Sequence, residues 1–309
     1  MAKKKFDIHR LLAELRYPTT PGAKLFTAFL AILFFCVLSL LVVSAFLVYR
    51  VVVPQHVAEN IDPKLLIASI NTLEFQLPDG TTHEGWLFPG LKGAPVIVIC
   101  HGYGSTRADM LTLATSLQEH RYNVFLFNFA GHGDSKAKYS TLGFREADEL
   151  AAAIEMLTQR EDVSRERVGI WGSNLGAYTA LAVAEESPRV RALVLDSVYA
   201  APQDLLNVQI GLAGGSRLPI LKPLARVEFG LLTYNFRRRL SLDSGLSRLS
   251  GAEKLFISGG DSPELAAETE RLFSQCPGPK EHVSLGNTNL AFLGDEENAL
   301  TKTGLSIFS

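Results

Sequence analysis

The ten-residue stretch VGIWGSNLGA, residues 168–177, constrains the fold of this chain more than any other stretch. An apolar run typical of a buried strand leads into a turn flanked by Gly172 and Gly176, and an apolar helix begins directly afterwards. The glycines indicate that strand and helix backbones come too close at this turn to admit a side chain. The stretch therefore predicts a strand–turn–helix unit at the end of a sheet in an α/β protein.

The spacing of the two glycines matches the nucleophile elbow, G-x-Nu-x-G, which raises one side chain above the end of a sheet. Counting from Gly172 and Gly176 places Asn174 at the raised position. Ser173 is excluded there, because Trp and Leu would then occupy the flanking positions that need small residues. Asn tolerates positive φ, but a carboxamide is not a nucleophile for acyl transfer. The sequence thus predicts the scaffold without its reactive atom; the alternative is an ordinary strand–turn–helix of another α/β protein.

A second constraint is the run from Leu25 to Tyr49, which contains no charged residue. About 20 apolar residues suffice to cross a bilayer, so we predict a membrane-spanning helix over residues 25–53. The alternative is a signal peptide cleaved near Ala45, but the apolar core of a signal peptide has only about 7–15 residues. We therefore expect an uncleaved signal anchor that contacts the lipid bilayer through residues 25–49.

The charges on either side of this run predict its orientation. Basic residues dominate the preceding arm, residues 1–24, whereas acidic residues dilute the basic ones just after the span. The positive-inside rule then places the arm in the cytoplasm and everything after Arg50 in the periplasm or another extracytoplasmic space. A nucleic-acid partner is not expected, because such domains carry clustered basic residues. The one cluster here, residues 237–239, is interpreted as a solvated face, with a lipid-headgroup contact as the alternative.

Residues 54–70 are predicted to form a linker, and residues 71–309 a single α/β domain. Pro78-Asp79-Gly80 separates two alternating runs, which predicts a β-hairpin. Continuous apolar runs, typical of strands covered on both faces, then alternate with helical patterns such as Gly143–Leu157. This alternation predicts a mostly parallel sheet with helices on both faces. Besides the strand that leads into the elbow, the predicted strands are Thr72–Leu77, Thr82–Phe88, Pro95–Cys100, Asn123–Phe127, Val190–Leu195, Lys254–Ser258 and His282–Leu285.

From about Thr72 to Leu290 the chain resembles the α/β-hydrolases, and in particular a membrane-anchored, esterase- or peptidase-like branch of them. The resemblance is carried by the elbow and by three loops, His101-Gly102, Gly131-His132-Gly133-Asp134-Ser135 and Gly259-Gly260-Asp261. It implies an α/β-hydrolase fold and an oxyanion hole made by the backbone N–H groups of Tyr103 and Leu175. It also implies a triad in the order nucleophile, acid, histidine.

The chain departs from that triad. In the acid's G-x-x-D pattern the count falls on Ser262, one residue past Asp261, and Asp196 is a weaker candidate. The histidine is expected near Asn287, but no histidine follows His282. His282 opens the last predicted strand, which puts it roughly 15–20 Å from the site at the strand's other end.

Other histidines and the cysteines add no catalytic group. His101 and His132 belong to glycine loops and, by the resemblance, hold those loops through hydrogen bonds. Three cysteines without motif spacing predict neither a disulfide framework nor a metal site, and we expect no cofactor.

Loss of the nucleophile and the base together favours a catalytically inactive, membrane-anchored protein that serves as a binding or accessory subunit. The alternative is an active hydrolase of ester, thioester or peptide-like bonds with a non-standard site. About residues 200–250 lie where this fold inserts a lid, and they are rich in Leu, Ile and Gly. The lid either packs on its own domain or presents an apolar surface to a membrane-protein partner or an apolar ligand.

Overall fold

One sheet organises the protein. The structure, a computed structural model, describes residues 17–54, 70–236, 242, 245–260, 262–286 and 308. Within these residues the strands are β1 (Asn71–Gln76), β2 (Thr82–Phe88), β3 (Ala94–Cys100), β4 (Asn123–Phe127), β5 (Val163–Ser173), β6 (Val190–Asp196), β7 (Glu253–Gly259) and β8 (Lys280–Leu285). Their order is β1-β2-β4-β3-β5-β6-β7-β8. The pairs β1–β2 and β2–β4 are antiparallel, and the others are parallel.

Helices pack on both faces of this sheet. The described α-helices are α1 (Pro21–Val52), α2 (Leu111–Glu119), α3 (Phe144–Thr158), α4 (Leu175–Ala184), α5 (Pro202–Leu212), α6 (Leu221–Leu232) and α7 (Pro263–Gln275). One apolar cluster lies between the sheet and α3, α4 and α7, while a second lies on the opposite face beneath α2. The predicted α/β-hydrolase fold is thereby confirmed.

The local sequence pattern explains why several of these strands and helices form. The runs PVIVIC and NVFLF are buried along almost their whole length, as strands with helices on both sides must be. In the predicted hairpin, Gly80 has φ +83° and Thr81 N–H donates to Asp79 Oδ1 at 2.9 Å. All ten residues of α4 are buried, which explains its composition of small and apolar residues.

Helix α1 is long and apolar enough to cross a membrane. It begins at Pro21, four residues before the predicted span, and Thr20 caps it by accepting from Ala23 N–H. Most of its length is exposed, but Val48, Val51 and Val52 near its end are buried in the core of the domain. The predicted linker, residues 54–70, lies almost entirely outside the described residues.

Helices α5 and α6 form the predicted lid between β6 and β7. Residues such as Leu206 and Phe229 are fully buried in the core, so the lid packs on its own domain. Both lid helices also pack against α1. Ser44 Oγ of α1 donates to Glu228 Oε2 of α6 at 2.7 Å, so that the long helix and the lid are joined.

We expect Gly176→Ala to destabilise the domain by about 1–3 kcal/mol, the usual effect of overpacking. A Cβ atom at Gly176 would lie 2.1 Å from the carbonyl oxygen of Cys100, a backbone atom that cannot move without displacing β3. The matched control is Gly251→Ala, where no atom lies within 4 Å of an added Cβ. Urea unfolding followed by circular dichroism measures both; equal stabilities of the two variants would contradict the close packing.

Candidate functional site

The elbow turn lies between β5 and α4 at the carboxyl edge of the parallel strands. Asn174 occupies its tip with φ +33° and ψ −91°. A Cβ on Gly172 would lie 2.3 Å from the backbone of Gly176, and one on Gly176 would meet Cys100. Both flanking positions therefore require glycine, in agreement with the register inferred from the sequence.

The side chain of Asn174 turns back onto the two backbone N–H groups expected to form an oxyanion hole. Its Oδ1 accepts from Tyr103 N–H at 2.7 Å and from Leu175 N–H at 2.5 Å. The two donors thus converge on one point, as an oxyanion hole requires. The oxygen at that point is the protein's own amide oxygen.

Beside the elbow, Asp196 holds two serine hydroxyls. Ser173 Oγ donates to its Oδ2 at 3.0 Å, and Ser197 Oγ donates to its Oδ1 at 2.8 Å. Asn174 N–H donates to the carbonyl oxygen of Asp196 at 2.8 Å. Asp196 is buried, so its carboxylate fastens the base of the turn. The sequence made Asp196 only a weaker candidate for the acid, yet among the described residues its carboxylate contacts the elbow.

The other acid and base candidates contribute little to the described site. Asp261 and the position near Asn287 lie outside the described residues. Ser262 precedes α7, and its carbonyl accepts from Ala266 N–H. Its side chain makes no hydrogen bond to the elbow among the described residues. The acid and histidine assignments therefore stay predictions.

The two loop histidines, His101 and His132, form hydrogen bonds with backbone groups of their loops, as the resemblance implies. His101 Nε2 accepts from Phe129 N–H at 3.0 Å, and its Nδ1 lies 2.8 Å from the carbonyl oxygen of Gly102. Complete burial lowers the pKa of His101 to about 3, so the ring is neutral and both nitrogens are committed. His132 Nδ1 lies 3.0 Å from the carbonyl oxygen of Ala130.

His282 is fixed away from the elbow strand. Its Nε2 lies 2.8 Å from Ser258 Oγ on the neighbouring strand β7, and its ring lies against Phe273. Within the described ranges, no group of three or more His, Cys, Asp or Glu side chains is placed to hold a metal ion.

The end of α1 contacts the site, a feature that sequence reasoning missed. Tyr103 Oη donates to the carbonyl oxygen of Val51 at 2.8 Å, and Ser140 N–H donates to that of Val52 at 2.7 Å. Tyr103 therefore joins the elbow through its backbone and the long helix through its side chain. The continued apolar run after Arg50 was the only signal for this packing.

A buried carboxyl supports the loop between β4 and α3. Glu149 Oε2 accepts from Ala130 N–H at 3.0 Å, and Arg145 Nε lies 3.3 Å from Oε1. Burial, followed by the nearby charge of Glu146, raises the pKa of Glu149 from 4.5 to about 8. Above pH 4.5 the Glu149 carboxyl therefore stays protonated in the folded protein, whereas in the unfolded chain it loses its proton.

Because the folded protein holds this proton more tightly than the unfolded chain, we expect the free energy of unfolding to fall as the pH rises from 4.5 to about 8. The depressed pKa of His101 acts oppositely, but only below its ordinary value of 6.5. Between pH 6.5 and 8 we expect Glu149 to lower the unfolding free energy by at most about 1.4 kcal/mol per pH unit. Glu149→Gln should remove this slope. Urea unfolding of detergent-solubilised protein across this range measures it.

The matched control is Glu155→Gln on the same helix. Glu155 is exposed, and its hydrogen bond from Arg189 lowers its pKa, so its titration falls well below pH 6.5. That variant should keep the wild-type slope. A slope unchanged in Glu149→Gln would show that Glu149 is ionised in the folded protein at neutral pH.

The amino-acid sequence of the chain is similar to those of several known proteins. A family model described as alpha/beta hydrolase fold matches residues 95–215. The uncharacterized protein YfhR of Escherichia coli O157:H7 is 32% identical over 149 residues, which are 46% of this chain and 52% of that protein. An uncharacterized protein of Mycobacterium tuberculosis (strain ATCC 25618 / H37Rv) is 29% identical over 212 residues, 66% of each chain. The chain thus spans about half the length of the first relative.

Solved structures share the fold. An esterase of Pyrococcus furiosus superposes with a TM-score of 0.63 at 21% sequence identity, covering 84% of this chain and 97% of the esterase. The alpha/beta hydrolase GrgF of Penicillium sp. sh18 superposes with a TM-score of 0.60 at 20% identity, covering 77% of this chain and 97% of GrgF. Together with the sheet order, the elbow and the family model that matches residues 95–215, they show that the chain has the α/β-hydrolase fold.

Proposed function

We propose that this protein is a membrane-anchored binding or accessory subunit that does not carry out acyl transfer. The observation that carries the proposal is the position of Asn174 Oδ1, at 2.7 and 2.5 Å from the two N–H donors of the oxyanion hole. A hydrolase needs those donors for the oxygen of its substrate as negative charge develops. In this protein both donors are already hydrogen-bonded to the Asn174 side chain.

Displacing the amide oxygen does not produce a catalyst. Rotation of the Asn174 side chain would leave two N–H donors to be satisfied by a ligand, at a cost of about 1–3 kcal/mol for each one left unpaired. The side chain itself offers no nucleophile. Loss of a triad member reduces catalysis by orders of magnitude, and this chain has no histidine after His282. The elbow and its two donors are therefore better suited to binding than to covalent catalysis.

One observation favours the alternative, an active hydrolase of ester, thioester or peptide-like bonds with a non-standard site. Ser173 Oγ lies 3.0 Å from Asp196 Oδ2, and in many hydrolases a nucleophilic hydroxyl lies beside a group that can take its proton. Against this, Ser173 belongs to the end of β5 rather than to the tip of the elbow, and its hydroxyl is directed at the buried Asp196.

The membrane arrangement is part of the proposal. Helix α1 would serve as a single-pass signal anchor with the basic arm in the cytoplasm, and the domain would lie outside the cytoplasm. Its composition and length support this arrangement. The lid beside the anchor is then the proposed contact for a membrane-protein partner or an apolar ligand.

We expect the wild-type protein not to react with a fluorophosphonate probe, because such probes need a serine activated by a base. Asn174→Ser should remain nearly as unreactive, since a nucleophile without its base recovers little activity. Gel fluorescence and intact mass measure the labelling, with the Pyrococcus furiosus esterase as the positive control. Stoichiometric labelling of wild type that Ser173→Ala abolishes would instead support the alternative hydrolase.

We expect protease added to intact spheroplasts to digest the chain after Arg50, because lysine and arginine are concentrated before the span. An epitope tag fused after Ser309 reports cleavage, and a cytoplasmic marker protein reports intact cells. Survival of the tag in spheroplasts, followed by its loss after lysis, would reverse the proposed orientation.

A further inference from the structure

An apolar stripe is exposed on lid helix α6 and at its two ends. Its members are Ile220, Val227, Leu231 and Tyr234, whose exposed fractions are 55, 62, 73 and 72%. Their spacing of seven, four and three residues puts them along one helical face. We call this face the lid stripe. A stripe of this kind normally faces an apolar environment.

A groove between the lid and α1 shows which part of α1 the lid lies beside. Leu218, in the loop between the two lid helices, closes a groove of about 560 Å³ against α1. The groove is almost entirely apolar, and its α1 side is formed by Ile32, Phe35, Cys36, Ser39, Leu40 and Val43. The lid loop therefore touches the middle of the apolar run rather than its end.

The depth follows from helix geometry. With a rise of 1.5 Å per residue, Val43 lies about 9 Å before Tyr49, the end of the uncharged run, and Ile32 lies about 26 Å before it. A hydrocarbon layer of about 30 Å centred on that run includes both residues. If α1 crosses a bilayer, Leu218 is at the level of the acyl chains.

Several charged groups of the lid have partners within the protein. Lys222 Nζ lies 3.9 Å from Glu264 Oε1 of α7, and Arg226 Nε donates to Asn207 Oδ1 of α5 at 3.1 Å. Glu228 accepts from a serine hydroxyl of α1, so its carboxylate is directed at the anchor. The lid therefore presents an apolar stripe and an apolar groove that runs along the uncharged part of α1. Beside a spanning helix, lipid acyl chains are the occupant that such a surface fits best.

We infer that the lid is embedded in the membrane leaflet that surrounds the C-terminal half of α1. The lid stripe then lies against phospholipid acyl chains, and one acyl chain lies in the groove behind Leu218. The inference rests on the proposed crossing of the bilayer by α1. It names the apolar ligand of the lid as membrane lipid, and it places the lid in the membrane rather than above it.

Tryptophan quenching tests this placement, because the two native tryptophans, Trp86 and Trp171, are both buried in the domain. The full-length protein is reconstituted in phosphatidylcholine vesicles with or without bromine on the acyl chains. Leu231→Trp reports the lid stripe, Phe34→Trp reports the middle of α1, and Leu91→Trp reports the loop before β3, at the opposite end of the sheet. All three positions are exposed in the wild type.

We expect brominated lipid to quench most of the added emission of Leu231→Trp and Phe34→Trp, and to leave that of Leu91→Trp unchanged. Quenching of Phe34→Trp without quenching of Leu231→Trp would overturn the inference while leaving the anchor intact; a protein partner would then be the remaining occupant. Absence of quenching at both positions would overturn the anchor as well. The fluorophosphonate result does not depend on any of these outcomes, so the inactive site is tested separately.

Discussion

The backbone contact between helix α4 and strand β3 is the constraint on which the site depends. At Gly176 the helix comes so close to the carbonyl group of Cys100 that no side chain fits between them. This approach forces the sharp turn after β5 and gives Asn174 its positive φ. The turn brings the Asn174 amide oxygen onto the N–H group of its neighbour Leu175 and onto that of Tyr103, which lies 71 residues before Asn174 in the sequence. A packing requirement of the fold has therefore placed a polar group where substrate oxygen lies in hydrolases.

The donors of an oxyanion hole and a nucleophile have different origins in this fold. The backbone donors belong to the turn and the loop, and these are needed for folding whatever residue stands at the tip. The reactive atom of a hydrolase belongs to one side chain, and a different residue at the tip leaves the turn intact. The Asn174 oxygen also satisfies donors that would otherwise need water or ligand, so it contributes to the stability of the turn.

Much of the fold could be predicted from local sequence, whereas the contacts of the site could not. Strand β2 and strand β4 have the predicted bounds, because apolar runs between turn residues carry that information locally. The position of Asn174 was predictable from glycine spacing. Its acceptance of hydrogen bonds from Tyr103 and Leu175 was not, because it depends on a side-chain rotamer and a distant loop. The burial of Glu149 also depends on tertiary packing, since in sequence it is an ordinary helical carboxylate.

The last turn of α1 has a consequence for how the protein can exist in the cell. Val48, Val51 and Val52 are each at most 5% exposed, and full burial of such a side chain contributes roughly 1.5–3 kcal/mol. The carbonyl of Val51 also accepts the hydroxyl of Tyr103. A protease that severed the chain just after this helix would release a domain with an apolar hole and an unsupported loop beside Asn174. Separation from the helix would thus destabilise the domain, because the last turn of α1 is part of the domain's own core.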